Sequence, residues 1–294
     1  GGSQLLTAAG SLPQCFNLDY HCKHALRPWK EINHQAQGRR SKELMTPTES
    51  IYAETFRVHS YECDVNRQMK PAAFFQHLTE AATVHAGKLG VGFEAMYARN
   101  LFWVHARMKL KFFHFPRIGE HVTIHTWPKT IQQKLFYIRD FEMLAENGER
   151  LAAATSAWLV MDATARRMLP PKSLGLDLPT ADRVGLDEPL ERIGLAQEDG
   201  EERLRVRAAY SAVDMLGHVN NSRYVEWICD ALPADMIGQR PLDWLQVNYD
   251  REVRPGEEVS VTANPVPPDG DLWALQGLNL SNDTRAFEAA IKWK

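Results

Sequence analysis

Five polar residues in the C-terminal half have the types and spacing that hydrolysis requires. One strand-to-helix turn contains Asp214, His218, Asn220 and Asn221, and Glu252 follows the next predicted strand. A carboxylate can take a proton from water or attack an acyl carbonyl itself, and a nearby histidine can position the substrate or stabilise charge. We therefore predict a catalytic set of Asp214, His218 and Glu252.

The backbone of the same turn can supply the rest of such a site. Helix N-termini leave N–H groups without intrahelical partners, and their partial positive charge stabilises a developing oxyanion. We expect free N–H groups from Val219 to Ser222, and we expect Gly217 to let a substrate approach the backbone closely. The predicted substrate-binding residues are Gly217, Val219, Asn220 and Asn221.

Each of these residues also has a purely structural interpretation. Asp214 and Asn221 can cap the helix and stabilise the turn, while His218 can be a hydrogen-bonded turn histidine. Glu252 can form an ion pair with a neighbouring arginine at the end of a strand. Residue types alone do not decide between the two interpretations.

A comparison between the two halves of the chain favours the catalytic interpretation. Residues 64–69 match residues 214–219 without a gap, and a second match in the same order favours duplication over chance. Where the second copy has His218 and Glu252, the first has Gln68 and Phe115. Because the first copy lacks these partners, we expect its matching aspartate, Asp64, to fix a turn and the reaction to take place in the second copy.

Two predicted helices position these residues. The first begins at Pro71, which suits a first turn, and carries apolar residues at helical spacing until Gly87 and Gly90. The second begins at capping residues 220–222 and is stopped by Pro233.

Strands account for most of the remaining pattern. Alternating apolar residues predict strands within residues 104–112, 122–124, 135–143 and 151–162. Asn147-Gly148 and residues 267–270 read as hairpin turns, and strands joined by hairpins form antiparallel sheets. We predict an α+β fold made of two tandem copies of a long helix wrapped by an antiparallel sheet, packed as a pseudo-dimer.

These patterns divide the chain into four parts: a tail (1–50), an N-terminal domain (51–175), a linker (176–199) and a C-terminal catalytic domain (200–294). We expect the tail to be disordered or foreign to the native chain. Its Cys15, His21, Cys22 and His24 could bind a metal together, but we interpret them as incidental residues.

Composition excludes several classes of function. The net charge is −3, so we expect no nucleic-acid partner. The sequence has no apolar stretch long enough to span a bilayer and no signal-peptide core. The four cysteines lack zinc-type spacing, so we predict no metal site. A reducing cytoplasm is the default location for such a chain.

Several stretches together are similar to the signatures of one family. In the first half these are residues 99–104, 126–127, 139–140, 158–162 and 166–167. In the second half, residues 214–227 resemble an active-site segment and residues 249–252 resemble a strand that carries a catalytic glutamate. From about Ile51 to Lys294, the sequence resembles the acyl-ACP thioesterase family of plants and bacteria, whose members are double hotdogs.

The resemblance implies hydrolysis of a fatty acyl thioester on acyl carrier protein (ACP), without a cofactor. Carried over by position, the catalytic set is again Asp214, His218 and Glu252. The family often has Asn where this chain has Leu216, which cannot hydrogen-bond a water or a histidine. Asp214-x-x-Gly-His also resembles simpler hotdog thioesterases, in which the acid acts more directly. Val253 stands where some members have Cys, which weakens any scheme with a cysteine nucleophile.

Two alternatives stay open at this point. The enzyme could act on acyl-CoA or aryl-CoA, or Leu216 could mark an acyl-binding protein without turnover. Both a monomer, as a pseudo-dimer, and a homodimer are compatible with the sequence. Arg203, Arg205 and Arg207 share one face of a predicted strand and could steer an acidic carrier, although a solvated edge strand is the simpler interpretation.

Overall fold

A computed structural model describes residues 50–195 and 200–294, so the tail cysteines and histidines lie outside the described residues. The helices are α1 (Pro71–Lys88), α2 (Phe93–Ala98), α3 (Asn221–Asp230) and α4 (Ala234–Gln239). The strands are β1 (Tyr52–Arg57), β2 (Leu101–Phe112), β3 (His121–Gln132), β4 (Phe136–Ala145), β5 (Arg150–Asp162), β6 (Met168–Leu169), β7 (Glu202–Arg207), β8 (Leu242–Tyr249), β9 (Glu258–Val266), β10 (Asp269–Asn279) and β11 (Thr284–Trp293). The α+β prediction is confirmed.

These strands form one antiparallel sheet. Its order is β1-β3-β4-β5-β2-β8-β11-β10-β9-β7, and the short β6 pairs with β5. Read from either edge to the centre, each half follows the same order: its first, third, fourth, fifth and second strand. The halves meet where β2 pairs with β8, from Arg107 opposite Asn248 to Lys111 opposite Trp244.

Matching positions in the two halves make matching hydrogen bonds. Each of the following is 2.9 Å long: Met69 N–H to the Pro116 carbonyl in the first half, and Val219 N–H to the Val253 carbonyl in the second. Phe115 and Glu252 each precede the accepting residue by one position. The structure therefore places them at equivalent points of the two halves, as the sequence alignment predicted.

The two long helices begin where their sequences predict. Pro71 is the first residue of α1, and the Asn220 side chain caps α3 by accepting a hydrogen bond from the Ser222 N–H. Helix α3 ends at Asp230, earlier than Pro233 requires. Phe74, Phe75 and Leu78 from α1 and Tyr224, Val225 and Ile228 from α3 all lie in the main core. Burying each contributes roughly 1.5–3 kcal/mol.

The hairpin turn at Asn147-Gly148 is confirmed between β4 and β5. Gly148 has φ +83°, a left-handed conformation that glycine adopts without strain. The Asn147 side chain accepts a hydrogen bond from the Glu149 N–H at 2.9 Å. None of the helices in the described residues has the length and hydropathy that crossing a membrane requires.

The segment predicted as a linker lies against the sheet. The Trp127 indole N–H donates to the Arg183 carbonyl at 3.0 Å. The Asp140 carboxylate, fully buried on β4, accepts hydrogen bonds from the Gly185 N–H at 2.7 Å and the Thr155 hydroxyl at 2.6 Å. Up to residue 195, this crossover is therefore fixed to the sheet by buried polar contacts.

A histidine is buried near the junction of the two halves. His105 is 5% exposed, and its ring stacks on Trp158 with centroids 4.1 Å apart. Neither ring nitrogen has a hydrogen-bond partner within the described residues. Burial lowers the pKa of His105 to about 3, because the charged form would lose its hydration.

This burial predicts an acid-sensitive contribution to stability. The pKa of His105 is about 3 when folded, against an ordinary value of 6.5, so the unfolded chain takes up its proton first as the pH falls. Stability is therefore present above pH 6.5 and is lost towards pH 3. Between pH 7 and pH 5, wild type should lose about 2 kcal/mol more unfolding free energy than His105→Phe.

Urea unfolding at the two pH values measures this difference. Phe keeps an aromatic ring for stacking on Trp158 and removes the titrating nitrogens. His121→Phe, at an exposed position on β3, is the matched control and should unfold like wild type at both pH values. Equal pH dependence in wild type and His105→Phe would contradict the prediction.

Candidate active site

A tight turn holds the predicted catalytic aspartate. The Asp214 N–H donates to the His218 carbonyl at 2.9 Å, and the Gly217 N–H donates to the Asp214 carbonyl at 3.0 Å. Gly217 has φ +85°, a conformation that side chains disfavour. The Leu216 N–H donates to Asp214 Oδ1 at 2.9 Å, so one carboxylate oxygen fixes the turn. The other makes no hydrogen bond within the described ranges.

His218 lies between the two predicted carboxylates. Its Nδ1 is 3.8 Å from Asp214 Oδ1, and its Nε2 is 3.4 Å from Glu252 Oε2. The carboxylate side chains are each 22% exposed and the histidine side chain is 30% exposed, so water can reach all three. The structure brings the three residues together, while their roles stay a prediction.

Glu252 has the electrostatic setting of a proton acceptor. Burial raises its pKa, and the opposing influence of His218, Arg254 and Arg166 is smaller. A carboxylate with a raised pKa is a stronger base, which suits the removal of a proton from water. The neighbouring Val253 N–H donates to the Tyr224 hydroxyl at 3.1 Å, which anchors this segment to α3.

The expectation of free N–H groups from Val219 to Ser222 needs correction. The Val219 N–H donates to the Val253 carbonyl and the Asn220 N–H donates to the Ala212 carbonyl, each at 2.9 Å. The Ser222 N–H donates to the Asn220 side chain at 3.0 Å. Strand-like pairing and the helix cap use these groups, and in the described part of the chain only the Asn221 N–H of this set has no hydrogen bond.

The matching region of the first half has a similar turn but no histidine or acid at the positions that match His218 and Glu252. Asp64 Oδ1 accepts hydrogen bonds from the N–H groups of Asn66 at 2.8 Å and Gln68 at 3.0 Å, which fixes the turn. Phe115, at the position of Glu252, packs edge-on to Phe74 with ring centroids 5.5 Å apart. An aromatic cluster therefore occupies the place where the second half has its acid.

A cavity lies beside the second-half turn, between α1 and the N-terminal end of α3. We call it the interhelical cleft; its volume is about 360 Å³. Its lining residues are Glu62, Gln76, His77, Thr79 and Glu80 from the first half, and Asn220 and Ser222 from the second. The sequence prediction assigned no first-half residue to the site and missed this wall. The sequence did contain a signal for this wall: the first half has polar Glu62 and His77 where the aligned positions of the second half have Ala212 and Trp227.

The sequence matches two family models, which cover both halves. The acyl-ACP thioesterase N-terminal domain matches residues 49–171, and the acyl-ACP thioesterase C-terminal domain matches residues 195–294. The chain belongs to the acyl-ACP thioesterase family. The resemblance inferred from residue motifs is thus confirmed.

A plant member of the acyl-ACP thioesterase family is similar in sequence. The chloroplastic palmitoyl-acyl carrier protein thioesterase of Gossypium hirsutum is 30% identical over 215 residues, which cover 69% of this chain and 52% of that protein. The chain therefore spans about half the length of this relative.

Two solved acyl-ACP thioesterases share the fold. The Bacteroides thetaiotaomicron enzyme superposes with a TM-score of 0.75 at 22% identity, covering 83% of this chain and 98% of that one. The 12:0-ACP thioesterase of Umbellularia californica gives a TM-score of 0.73 at 22% identity, covering 85% of this chain and 99% of that one. At these identities, the likeness concerns the fold.

Proposed function

We propose that this protein hydrolyses fatty acyl-ACP to free fatty acid and ACP, in fatty acid biosynthesis. Family membership gives the substrate class. The observation that carries the proposal is His218 placed between Asp214 and Glu252. Asn220, two residues after His218, lines the interhelical cleft. No cofactor is needed for this chemistry, because water is the co-substrate.

The proposed mechanism uses water as the nucleophile. Glu252 accepts a proton from water, whose oxygen attacks the thioester carbonyl carbon. The C–S bond then breaks, and the departing thiolate takes that proton back from Glu252, which restores the base. Asp214 contacts the water or thioester through its unpaired oxygen, and His218 positions the substrate or stabilises charge. The Asn221 N–H is left to polarise the carbonyl. Gly217, Val219 and Asn220 shape the surface that the substrate meets.

We also propose that the architecture is a tandem double hotdog. The mirrored strand order and the matching hydrogen bonds of the two halves support this. The proposed divisions remain an N-terminal domain at 51–175, a linker at 176–199 and a catalytic domain at 200–294. The cytoplasmic location and the choice between monomer and homodimer stay predictions.

Carrier preference separates this proposal from its nearest alternative. We expect free fatty acid from a graded series of acyl-ACPs, and higher kcat/KM for acyl-ACP than for the matched acyl-CoA. Faster turnover of acyl-CoA or aryl-CoA would favour the CoA thioesterase instead. Acyl binding without product would support the acyl-binding protein suggested by Leu216, which is exposed in the turn.

The arginine face expected to steer the carrier is only partly available. Arg203, Arg205 and Arg207 are all exposed on β7. Arg203 pairs with Glu201 at 3.0 Å and Arg205 pairs with Glu202 at 2.9 Å, which offsets their charge. The structure therefore gives more weight to the solvated edge strand than to a docking site for ACP.

A further inference from the structure

The interhelical cleft joins the two halves at the proposed catalytic turn. Its second-half wall is the capping turn of α3, which begins at Asn220, two residues after His218. Its first-half wall is one polar side of α1 together with Glu62. A ligand that reaches the turn from this side therefore meets first-half side chains.

The polar wall is present on one side of the pseudo-symmetric pair only. The Lys70 N–H donates to the Glu62 carbonyl at 2.8 Å, and the Asn220 N–H donates to the Ala212 carbonyl at 2.9 Å, so Glu62 and Ala212 occupy equivalent places. The gap-free alignment also pairs His77 with the buried Trp227. At these matched positions the acid and the histidine occur in the first half alone, where they line the cleft together with Asn220 and Ser222.

Glu62 orients His77. The carboxylate is 7% exposed; it accepts a hydrogen bond from the His59 N–H at 2.7 Å and contacts His77 Nε2 at 2.7 Å. Burial alone would raise the pKa of Glu62, but these hydrogen bonds hold it below its ordinary value, so the group stays ionised. An ionised carboxylate only accepts, so His77 carries its proton on Nε2.

This arrangement leaves one complementary pair of groups in the cleft. His77 Nδ1 has no hydrogen bond in the described residues and, in the neutral ring, is an acceptor. Asn220 Oδ1 accepts from the Ser222 N–H and hydroxyl, which assigns its Nδ2 as the free donor. An acceptor and a donor from the two walls match the N–H and C=O of an amide.

We propose that the interhelical cleft binds the amide-bearing pantetheine arm of the carrier, with His77 Nδ1 accepting from an arm N–H and Asn220 Nδ2 donating to an arm carbonyl. This inference rests on the proposed function, because that function supplies the arm. His77 is then a substrate-positioning residue that the first half contributes to the second-half site. The cleft volume of about 360 Å³ lies within the usual range of small-ligand sites.

The test compares one acyl group on three thiols: ACP, pantetheine and 2-mercaptoethanol, the last of which has no amide. His77→Phe keeps the stacking on Phe56, whose ring centroid is 3.6 Å away. It should lower kcat/KM about ten-fold for acyl-ACP and acyl-pantetheine, mainly by raising KM. A ten-fold change corresponds to the loss of about one hydrogen bond. The 2-mercaptoethanol ester should change less than about two-fold, and His77→Gln, which keeps an acceptor, should recover part of the loss.

Two further variants control for folding. Asn220→Ser keeps a helix cap and removes Nδ2, so it should show the same selective loss. His59→Phe is the matched control: His59 also contacts Glu62 and stacks on a neighbouring ring, but does not line the cleft, so all three substrates should react as in wild type. Equal losses on all substrates, or no loss on acyl-ACP and acyl-pantetheine, overturn the inference.

A binding measurement separates this inference from the proposed function. Wild type that turns over none of the three thioesters would reject the proposed hydrolysis. Calorimetry with pantetheine alone still tests the cleft: the Kd should rise about ten-fold in His77→Phe. An unchanged Kd, or no pantetheine binding to wild type, counts against the cleft.

Discussion

Asp214→Asn and Glu252→Gln should each lower kcat for acyl-ACP by about 10²–10⁴-fold, the usual contribution of a positioned acid or base. Both substitutions keep the side-chain shape and remove the charge. Asn at position 214 can still accept from the Leu216 N–H, so the turn should survive. Single-turnover assays with acyl-ACP at saturation measure the chemical step.

Asp64→Asn is the matched control in the first half. Asp64, like Asp214, accepts hydrogen bonds from N–H groups of its own turn. However, the first half has Gln68 and Phe115 where the second half has His218 and Glu252. The variant should retain wild-type turnover. Hydrolysis by Asp214→Asn within a few-fold of wild type would rule out the proposed mechanism.

Asp140→Ala should lower the free energy of unfolding by about 3–5 kcal/mol, the usual cost of removing one partner of a buried ion pair. The Asp140 carboxylate is 0% exposed and lies 2.9 Å from Lys129 Nζ. It also accepts from the Gly185 N–H and the Thr155 hydroxyl. Its loss leaves the Gly185 N–H and the Thr155 hydroxyl unpaired and removes the counter-charge of Lys129, which keeps its hydrogen bond to the Leu186 carbonyl at 2.7 Å.

Urea unfolding of Asp140→Ala against wild type measures this cost. Asp187→Ala, an exposed aspartate in the same crossover segment, is the matched control and should change stability by less than about 0.5 kcal/mol. A loss below about 1 kcal/mol for Asp140→Ala would show that the buried contacts do not hold the crossover.

Local chemistry made the helix starts and the β4–β5 hairpin predictable. Proline at a first turn, asparagine at a cap and Asn-Gly at a hairpin act within a few residues. The local structure at Pro71, Asn220 and Gly148 can therefore be predicted from neighbouring residues alone. The grouping of Asp214, His218 and Glu252 was predictable for another reason: an internal copy without His218 and Glu252 supplied the comparison, while their catalytic roles stay a prediction.

The missed features depend on contacts between distant residues. The Val219 N–H donates to the carbonyl of Val253, which lies far along the chain. A rule based on the residues near a helix terminus does not predict that partner. The docked crossover depends on Asp140, whose sequence neighbours indicate only a strand. The wall formed by Glu62 and His77 appears only when α1 lies beside α3.

The two free edges of the described sheet bear on how molecules of this protein can associate. The edges are β1, with Glu54 and Arg57, and β7, with Arg203, Arg205 and Arg207. Charged side chains on an edge strand oppose pairing with a strand from another molecule. Sheet extension into fibres is therefore disfavoured at both ends, and so is a homodimer formed by pairing of these edges.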